Sequence, residues 1–408
     1  MTYDLNPTPE AMHPEYPICR GESCWGTEFG NIEFCENAYN YRPGGLCPVL
    51  LGDTLEGEDL QKGTNCSFGV IGKLGYGSYS TVWLVGNRAN GDFCALKILT
   101  EEHSTPQNSE LQILTLTGRL VSSFFYTHVP TQQQHLCLVM KPVGCSLARR
   151  DMAGHYPEVV GLPWDIGSMI DLVETLLTKV SAFHDRGIYH GDLSPSNICL
   201  GVDENAFEPE ALAETFKRDL NSYFICMNQT GSESPPPRPA YIPEYVVRHQ
   251  KPLLSDGWDL SSMEVIDFGR GGLNSGKSKL RGTPFYEAPE GSNLDTVAVI
   301  KADLWSLGCV IVYGLIHKHL FCDEEEEKEY IAGDENMQLS IIERQLEQGH
   351  TVLKEHTNFR KMLTRLIHSL VRVDPAVRDA AKAKELLGDL IKYAEPFLES
   401  QDDEEGEF

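Results

Sequence analysis

Two short phrases constrain this chain more than anything else in its 408 residues. His190–Asn197 reads H-G-D-L-S-P-S-N, and Asp267–Gly269 reads D-F-G. The first sets a carboxylate, Asp192, and an amide, Asn197, five residues apart on one short loop. The second brings another carboxylate from a distant segment. Asn197 and Asp267 are hard oxygen groups of the kind magnesium takes, and Asp192 adds a second carboxylate on the first loop. Any fold for this chain must therefore place two loops, far apart in sequence, side by side.

Composition sets the class. Hydrophobic residues make up 41% of the chain, enough for a sizeable core. The 12 cysteines are scattered through predicted strands and helices, which suits reduced thiols and a cytoplasmic or nuclear protein. Met1–Pro14 is polar and carries no signal-like apolar stretch. No run of 18 apolar residues occurs, so no membrane partner is expected. The net charge of −26 is opposite in sign to that of a nucleic-acid binder. The acidity serves solubility, or receives a basic protein substrate. Asp323–Glu327 reads as solvated loop and Asp402–Glu405 as disordered tail.

Residues 1–66 are rich in Pro, Gly, Asn and Cys and read as an N-terminal extension. Cys19, Cys24, Cys35 and Cys47 match no CxxC pair, so a zinc site is not expected. Strands are predicted at Phe68–Leu74, Thr81–Val85 and Phe93–Leu99, with Asn90-Gly91 as a tight turn. A helix over Asn108–Leu120 and a strand at Leu136–Met140 follow. Beyond Gly144 the pattern becomes helical. Met169, Val173, Leu176, Leu177, Val180 and Phe183 share a helical face that Gly187 ends. Trp305–Ile316 is apolar all round, hence a core helix. Phe359, Met362, Leu363, Leu366, Ile367 and Leu370 form another stripe, and a last helix covers Ala380–Tyr393, leaving an acidic tail at 396–408. Residues 201–260 hold a possible helix (Pro209–Leu220) and the Pro-rich run 232–239, and read as an insertion.

Gly75-Tyr76-Gly77-Ser78-Tyr79-Ser80 followed by Val82 is a variant glycine-rich loop between two predicted strands. Its two glycines let backbone N–H groups approach phosphate oxygens. Ala95 leaves room for a flat ring, while Lys97 reaches phosphates. Glu110, in the first turn of the next helix, is the candidate partner for the Lys97 ammonium. His190 reads as structural. Thr283, in Arg281–Glu290, can hydrogen-bond toward Asp192. Glu290 would pair with Arg378, since a buried charge needs such a partner. Asp303 would anchor the backbone of the Asp192 loop.

Together these motifs, from about 67 to 395, resemble a eukaryotic protein kinase. The nearer resemblance is to the serine/arginine-protein kinases, which phosphorylate splicing factors. It is carried by Tyr41-Arg42-Pro43-Gly44-Gly45 with Pro48 and Leu51-Gly52-Asp53, by Lys73–Gly77 with Ser80–Leu84, and by the insertion after the Asp192 loop. It implies an α+β, bilobal protein-kinase-like fold: a small antiparallel β-sheet lobe with one helix (67–140), a hinge (141–144) and a larger, mostly helical lobe (145–395) containing the insertion. It also implies ATP and Mg2+ as cofactors and a monomer acting on basic, Arg/Ser-rich protein. The nucleotide would be held by Leu74, Gly75, Tyr76, Gly77, Ser78, Tyr79, Ser80, Val82, Ala95, Lys97, Met140, Lys141 and Val143. Catalysis would fall to Asp192, Lys97, Glu110 and Thr283, and the metal to Asn197 and Asp267.

Two positions depart from that family's pattern. Gly191 stands where an arginine usually receives a phosphorylated activation loop, so activity should not depend on phosphate at Ser275 or Ser278. Ser194 stands where a lysine usually touches the transferring phosphate. Ser194 and Ser80 motivate an alternative, a catalytically weak pseudokinase acting as a scaffold. A small-molecule kinase fits the Ala288-Pro289-Glu290 ending poorly.

Overall fold

From Asn65 onward, Phe68, Val70 and Ile71 mark a stretch that folds as a strand, with Phe68 and Val70 two residues apart and buried in the same core. The computed structural model describes residues 35–37, 40–148, 165–202, 207, 222–224, 239–247, 260–273, 282–291 and 296–405. The expected helix at Pro209–Leu220, the prolines before 239, Cys19, Cys24, Ser275 and Ser278 lie outside these residues. The chain divides into two units, Met1–Gly144 with Val202–Asp256 and Cys145–Gly201 with Gly257–Phe408.

The first unit is built on a six-stranded sheet in the order β1-β2-β3-β4-β6-β5, antiparallel throughout. The strands are β1 (Thr54–Glu58), β2 (Asn65–Tyr76), β3 (Ser80–Asn87), β4 (Phe93–Leu99), β5 (Leu120–His128) and β6 (Gln133–Met140). One face buries Val49, Leu55, Phe68, Val70, Trp83, Val85, Leu96, Ile98, Phe124 and Val139 in a single core. The expected turn at Asn90-Gly91 is present, closed by Gly91 N–H on the Asn87 carbonyl at 2.8 Å, with Gly91 at φ +82°. Helix α1 (Ser109–Thr117) is capped by Asn108, whose side chain accepts from Leu111 N–H, and ends on Gly118 at φ +69°.

Three sequence expectations change here. The helix does not reach Leu120: Gly118 stops it, and Leu120 opens β5 instead. The sheet begins before residue 67, because β1 pairs with β2 from Thr54↔Gly69 to Glu58↔Asn65. Before β1, Cys35, Tyr41 and Leu46 form a second cluster with Ile242 and Val246. Those last two residues come from the expected insertion. Its described residues 222–224 and 239–247 therefore group with the sheet unit, whereas the sequence reading set them in the helical one. Its described strands β9 (Ser222–Phe224) and β10 (Tyr245–Val247) pair with each other.

The second unit is helical. Helix α2 (Ile166–His184) starts on Asp165, which accepts from Ser168 N–H at 2.7 Å, and buries Met169, Val173, Leu176, Leu177 and Val180 as its periodicity required. Helix α3 (Thr296–Ile316) is the core helix: its apolar stretch Val299–Ile316 has a mean hydropathy of 1.7 and is 89% buried. Two glycines let neighbours approach α3 closely. A Cβ on Gly308 would lie 2.5 Å from Val371, and one on Gly314 would lie 2.8 Å from Leu172. Around it stand α4 (Glu324–Ala332), α5 (Glu335–Gly349), α6 (Thr351–Glu355), α7 (Thr357–Leu370) and α8 (Ala380–Glu405).

Two acidic runs are more ordered than expected. Asp323 caps α4, accepting from Glu325 and Glu326 N–H, and Glu324–Glu327 fill the first turn, where the helix dipole favours negative charge. Asp402–Glu405 continue α8 rather than forming a tail.

Candidate active site

In the sheet unit, Lys97 sits on β4 with Val82 opposite it on β3 and Leu138 opposite it on β6. Two residues back, Ala95 faces Leu84 and Met140. Residues two apart on a strand share a face, so Val82, Lys97, Ala95 and Met140 line one side of the sheet. The core residues Leu96 and Ile98 point the other way. Leu74 packs on Leu84 on the Val82 side.

The Lys97 ammonium is buried, 2.7 Å from each carboxylate oxygen of Glu110. Helix α1 is placed for this by its cap, Asn108, which sets Glu110 in the first turn. The thirteen-residue gap is thus long enough for the pair to close.

Gly75 pairs with Val82 and Tyr76 with Thr81, so the glycine-rich loop is the turn joining β2 to β3. Gly77 N–H closes it on the Ser80 carbonyl at 2.9 Å. A Cβ added at Gly75 would meet nothing within 4 Å. No neighbour in the protein therefore requires glycine there, and the open space suits a ligand approaching the backbone. Ser78 and Tyr79 are exposed in the turn, whereas Ser80 is buried at the start of β3. Lys141 is exposed and Val143 half-buried just past β6.

In the helical unit, two short ladders bracket both signature phrases. Strand β7 (Ile188–Tyr189) pairs with β12 (Gly272–Leu273), and β8 (Ile198–Cys199) with β11 (Glu264–Val265). The loop His190–Asn197 runs from β7 to β8, and Asp267–Gly269 runs from β11 to β12. Ile266 N–H donates to the Asn197 carbonyl at 2.9 Å, which makes the two prospective metal ligands neighbours. None of these two-residue strands is visible as a period in the sequence.

The Asp192 loop is held from below by Asp303 on α3. Its Oδ2 accepts from His190 N–H at 2.7 Å and its Oδ1 from Gly191 N–H at 2.8 Å. His184 Nε2 lies 3.1 Å from the same Oδ2, a supporting contact that no motif announced. His190 is buried, with Nε2 2.9 Å from the Ile266 carbonyl and Nδ1 accepting from Asp192 N–H at 3.2 Å. One nitrogen must donate and the other must accept, so the ring is the neutral Nε2–H tautomer. Its ring also packs against Phe268, the fully buried aromatic of D-F-G, with centroids 4.9 Å apart and planes tilted by 53°.

Asp192 has two unlike oxygens. Oδ1 accepts from Thr283 twice, from N–H at 2.9 Å and from the hydroxyl at 2.8 Å. Among the described residues, Oδ2 is paired with Arg270, whose Nε is 3.5 Å away. The Asn197 amide nitrogen donates to the Asp192 carbonyl at 2.8 Å, which leaves its Oδ1 as the oxygen to offer a cation. Asp267 is exposed, with φ +63°, a conformation that costs a non-glycine residue energy and recurs at working sites. An amide oxygen beside a carboxylate fits a magnesium ion that keeps phosphate and water as its other ligands. Among the described residues, no group of three or more His, Cys, Asp or Glu could hold a metal alone.

The end of the Thr283 segment is pinned to the core. Ser306 Oγ donates to the Tyr286 carbonyl at 2.7 Å, and Arg378 reaches Glu290 with Nη1 at 2.6 Å and Nη2 at 2.8 Å. Arg378 is fully buried.

Comparison with known proteins agrees with this layout. The serine/threonine-protein kinase spk-1 of Caenorhabditis elegans is 26% identical over 202 residues, covering 46% of this chain and 18% of its own length. Protein kinase dsk1 of Schizosaccharomyces pombe is 29% identical over 203 residues, 46% of this chain and 35% of its own. SRSF protein kinase 3 of Homo sapiens is 26% identical over 185 residues, 41% of this chain and 30% of its own. The matches thus span between about a sixth and about a third of these relatives. The protein kinase domain model matches residues 68–207 and 253–388, which is more than half of the chain, and the chain therefore belongs to the protein kinase family.

Proposed function

We propose that this protein is a serine/threonine protein kinase that uses magnesium-bound ATP and prefers basic, Arg/Ser-rich protein substrates. The observation that carries the reading is the asymmetric Asp192 carboxylate. Thr283 occupies Oδ1, so Oδ2 is the edge left to meet a hydroxyl. A threonine fixed to the catalytic carboxylate from the segment that ends in Ala288-Pro289-Glu290 suits an enzyme that receives a peptide chain.

Each residue then has one task. Val82, Ala95, Leu74 and Met140 offer an apolar face for a flat ring. Lys97, steadied by Glu110, carries the charge for the α- and β-phosphates. Asn197 and Asp267 would hold a magnesium ion, which would supply charge neutralisation on the phosphates. Asp192 orients the acceptor hydroxyl and takes its proton at Oδ2 while the new O–P bond forms. The bond from the γ-phosphorus to the bridging oxygen breaks, and ADP leaves with its electrons. Positioning and electrostatics do most of this work.

Charge supports the substrate class. The chain carries −26 overall. Burial raises the Glu327 carboxyl above its usual range, and the negative charges of Glu324 and Glu287 raise it further, so acidic groups crowd beside the Thr283–Glu290 segment. Opposite charges about 4 Å apart gain roughly 1–4 kcal/mol at surface dielectrics, less with salt.

The test is phosphate transfer from labelled ATP to an Arg-Ser repeat peptide and to an acidic Ser peptide at low salt, with Asp192→Ala as control. Transfer to the basic peptide that Asp192→Ala abolishes is expected. No transfer to either peptide would sink the activity, and equal rates would sink the preference.

A further inference from the structure

The loop that carries Asp192 has no cation of its own. His190–Asn197 contains neither lysine nor arginine, and Ser194 is buried beneath the loop as the residue that opens the turn Pro195–Asn197. Phosphoryl transfer spreads negative charge over the γ-phosphate oxygens, and such transition states are stabilised by a fixed positive group beside the attacking atom. Among the described residues, Arg270 alone forms an ion pair with Asp192, its Nε 3.5 Å from Oδ2.

Three features of that contact bear on its role. It is made on Oδ2, the edge facing the acceptor, and not on Oδ1, which Thr283 already fills. Arg270 closes the one-turn helix Phe268–Arg270 that Asp267 opens, so its backbone is tied to the metal-binding aspartate. Its side chain is 44% exposed, and an exposed ion pair contributes little to folding. The guanidinium is thus tethered at the reacting edge without being part of the core. Arginine suits the place, because its planar fork can hold a carboxylate with one edge and a phosphate with another.

We propose that Arg270 is a catalytic residue: it pairs with Asp192 Oδ2 and donates to the γ-phosphate oxygens as the serine oxygen attacks. Its guanidinium supplies the charge that the Asp192 loop lacks. This rests on the kinase reading above.

The experiment compares full-length wild type, Arg270→Ala, Arg270→Lys and Asp192→Ala with the Arg-Ser peptide, measuring kcat and both KM values. Thermal unfolding of each variant checks the fold. Arg270→Ala should lower kcat on the order of 10²–10³-fold, the loss typical of one charge-stabilising donor, with KM for ATP within about threefold. Arg270→Lys should recover part of kcat, through its charge alone, and millimolar methylguanidinium added to Arg270→Ala should also restore activity. A kcat for Arg270→Ala within about threefold of wild type overturns the proposal while the kinase reading stands. A higher kcat overturns it too, since the arginine would then be a plug on Asp192. Wild type no more active than Asp192→Ala overturns the kinase reading, and the role of Arg270 falls with it.

Discussion

Lys73 and Glu36 form an ion pair with almost no exposure, 0% for the lysine side chain and 1% for the glutamate. Tyr41 donates to the other Glu36 oxygen, and the ammonium lies 4.9 Å from the centre of the Trp83 ring. Burial pulls the Lys73 pKa down, and Glu36 pulls it back up. Lys73 sits on β2, two residues before Gly75, so a residue of the N-terminal extension, Glu36, neutralises a charge close in sequence to the glycine-rich loop. Glu36→Ala should destabilise the protein by about 3–5 kcal/mol, because it leaves an uncompensated buried ammonium. Adding Lys73→Met to Glu36→Ala should recover most of that loss. Denaturant unfolding of the two variants tests this, and equal stability of the single and double variants would refute it.

Glu110 should matter through Lys97 rather than through folding alone. Glu110→Gln keeps a hydrogen-bond acceptor of the same shape and removes the charge. A drop in kcat/KM on the order of 10²-fold is expected, comparable with the loss of one fixed charge contact. Glu102→Gln, in an exposed pair with Arg42, is the matched control and should stay within about twofold. Steady-state kinetics on both variants decide the matter.

Gly191 has φ +76°, in the left-handed region, where its N–H reaches Asp303. Any side chain there is strained. Gly191→Arg, which would recreate the family's usual residue, should cost about 1–2 kcal/mol and lower the melting temperature. It should not raise activity. A more active and equally stable Gly191→Arg protein would contradict the backbone argument.

His368 should contribute to acid sensitivity. Burial lowers its pKa from 6.5 to about 4, with the Arg372 guanidinium adding to the fall and Glu335 opposing it, and Nε2 lies 3.0 Å from the Gln338 side-chain oxygen. Between those two values the unfolded chain binds the proton and the folded one does not. Stability therefore falls as pH drops through that window. His368→Gln should lose less stability than wild type between pH 7 and about pH 4.5. Parallel melting curves of the two proteins across that range would rule the histidine out.

The proposed site residues were the easiest to read. Asp192, Asn197, Asp267 and Lys97 stand in short motifs that resemble a known family, and the long amphipathic helices follow from their buried stripes. Short elements left no such trace. Strand β1 buries one side chain, Leu55, in five residues, which is no period at all. Strand β5 follows Gly118 so closely that its first apolar residues extend the helical pattern. Arg270 and Glu36 were invisible for a different reason. Each acts on a residue far away in sequence, and only the folded chain shows which cation meets which carboxylate.

Neither half of this molecule is a continuous stretch of polypeptide. Val247 is buried in the same core as Leu55 and Trp83, while Ile188–Cys199 is already committed to the other half. A ribosome must therefore pass residue 247 before the first half can close its interior. By then the Asp192 loop has left the exit tunnel without β11, β12 and Asp303, the partners that hold it. Birth of this protein is an interleaved process, in which the earliest-made half waits for a late return of the chain and nascent fragments ending before that return remain incomplete.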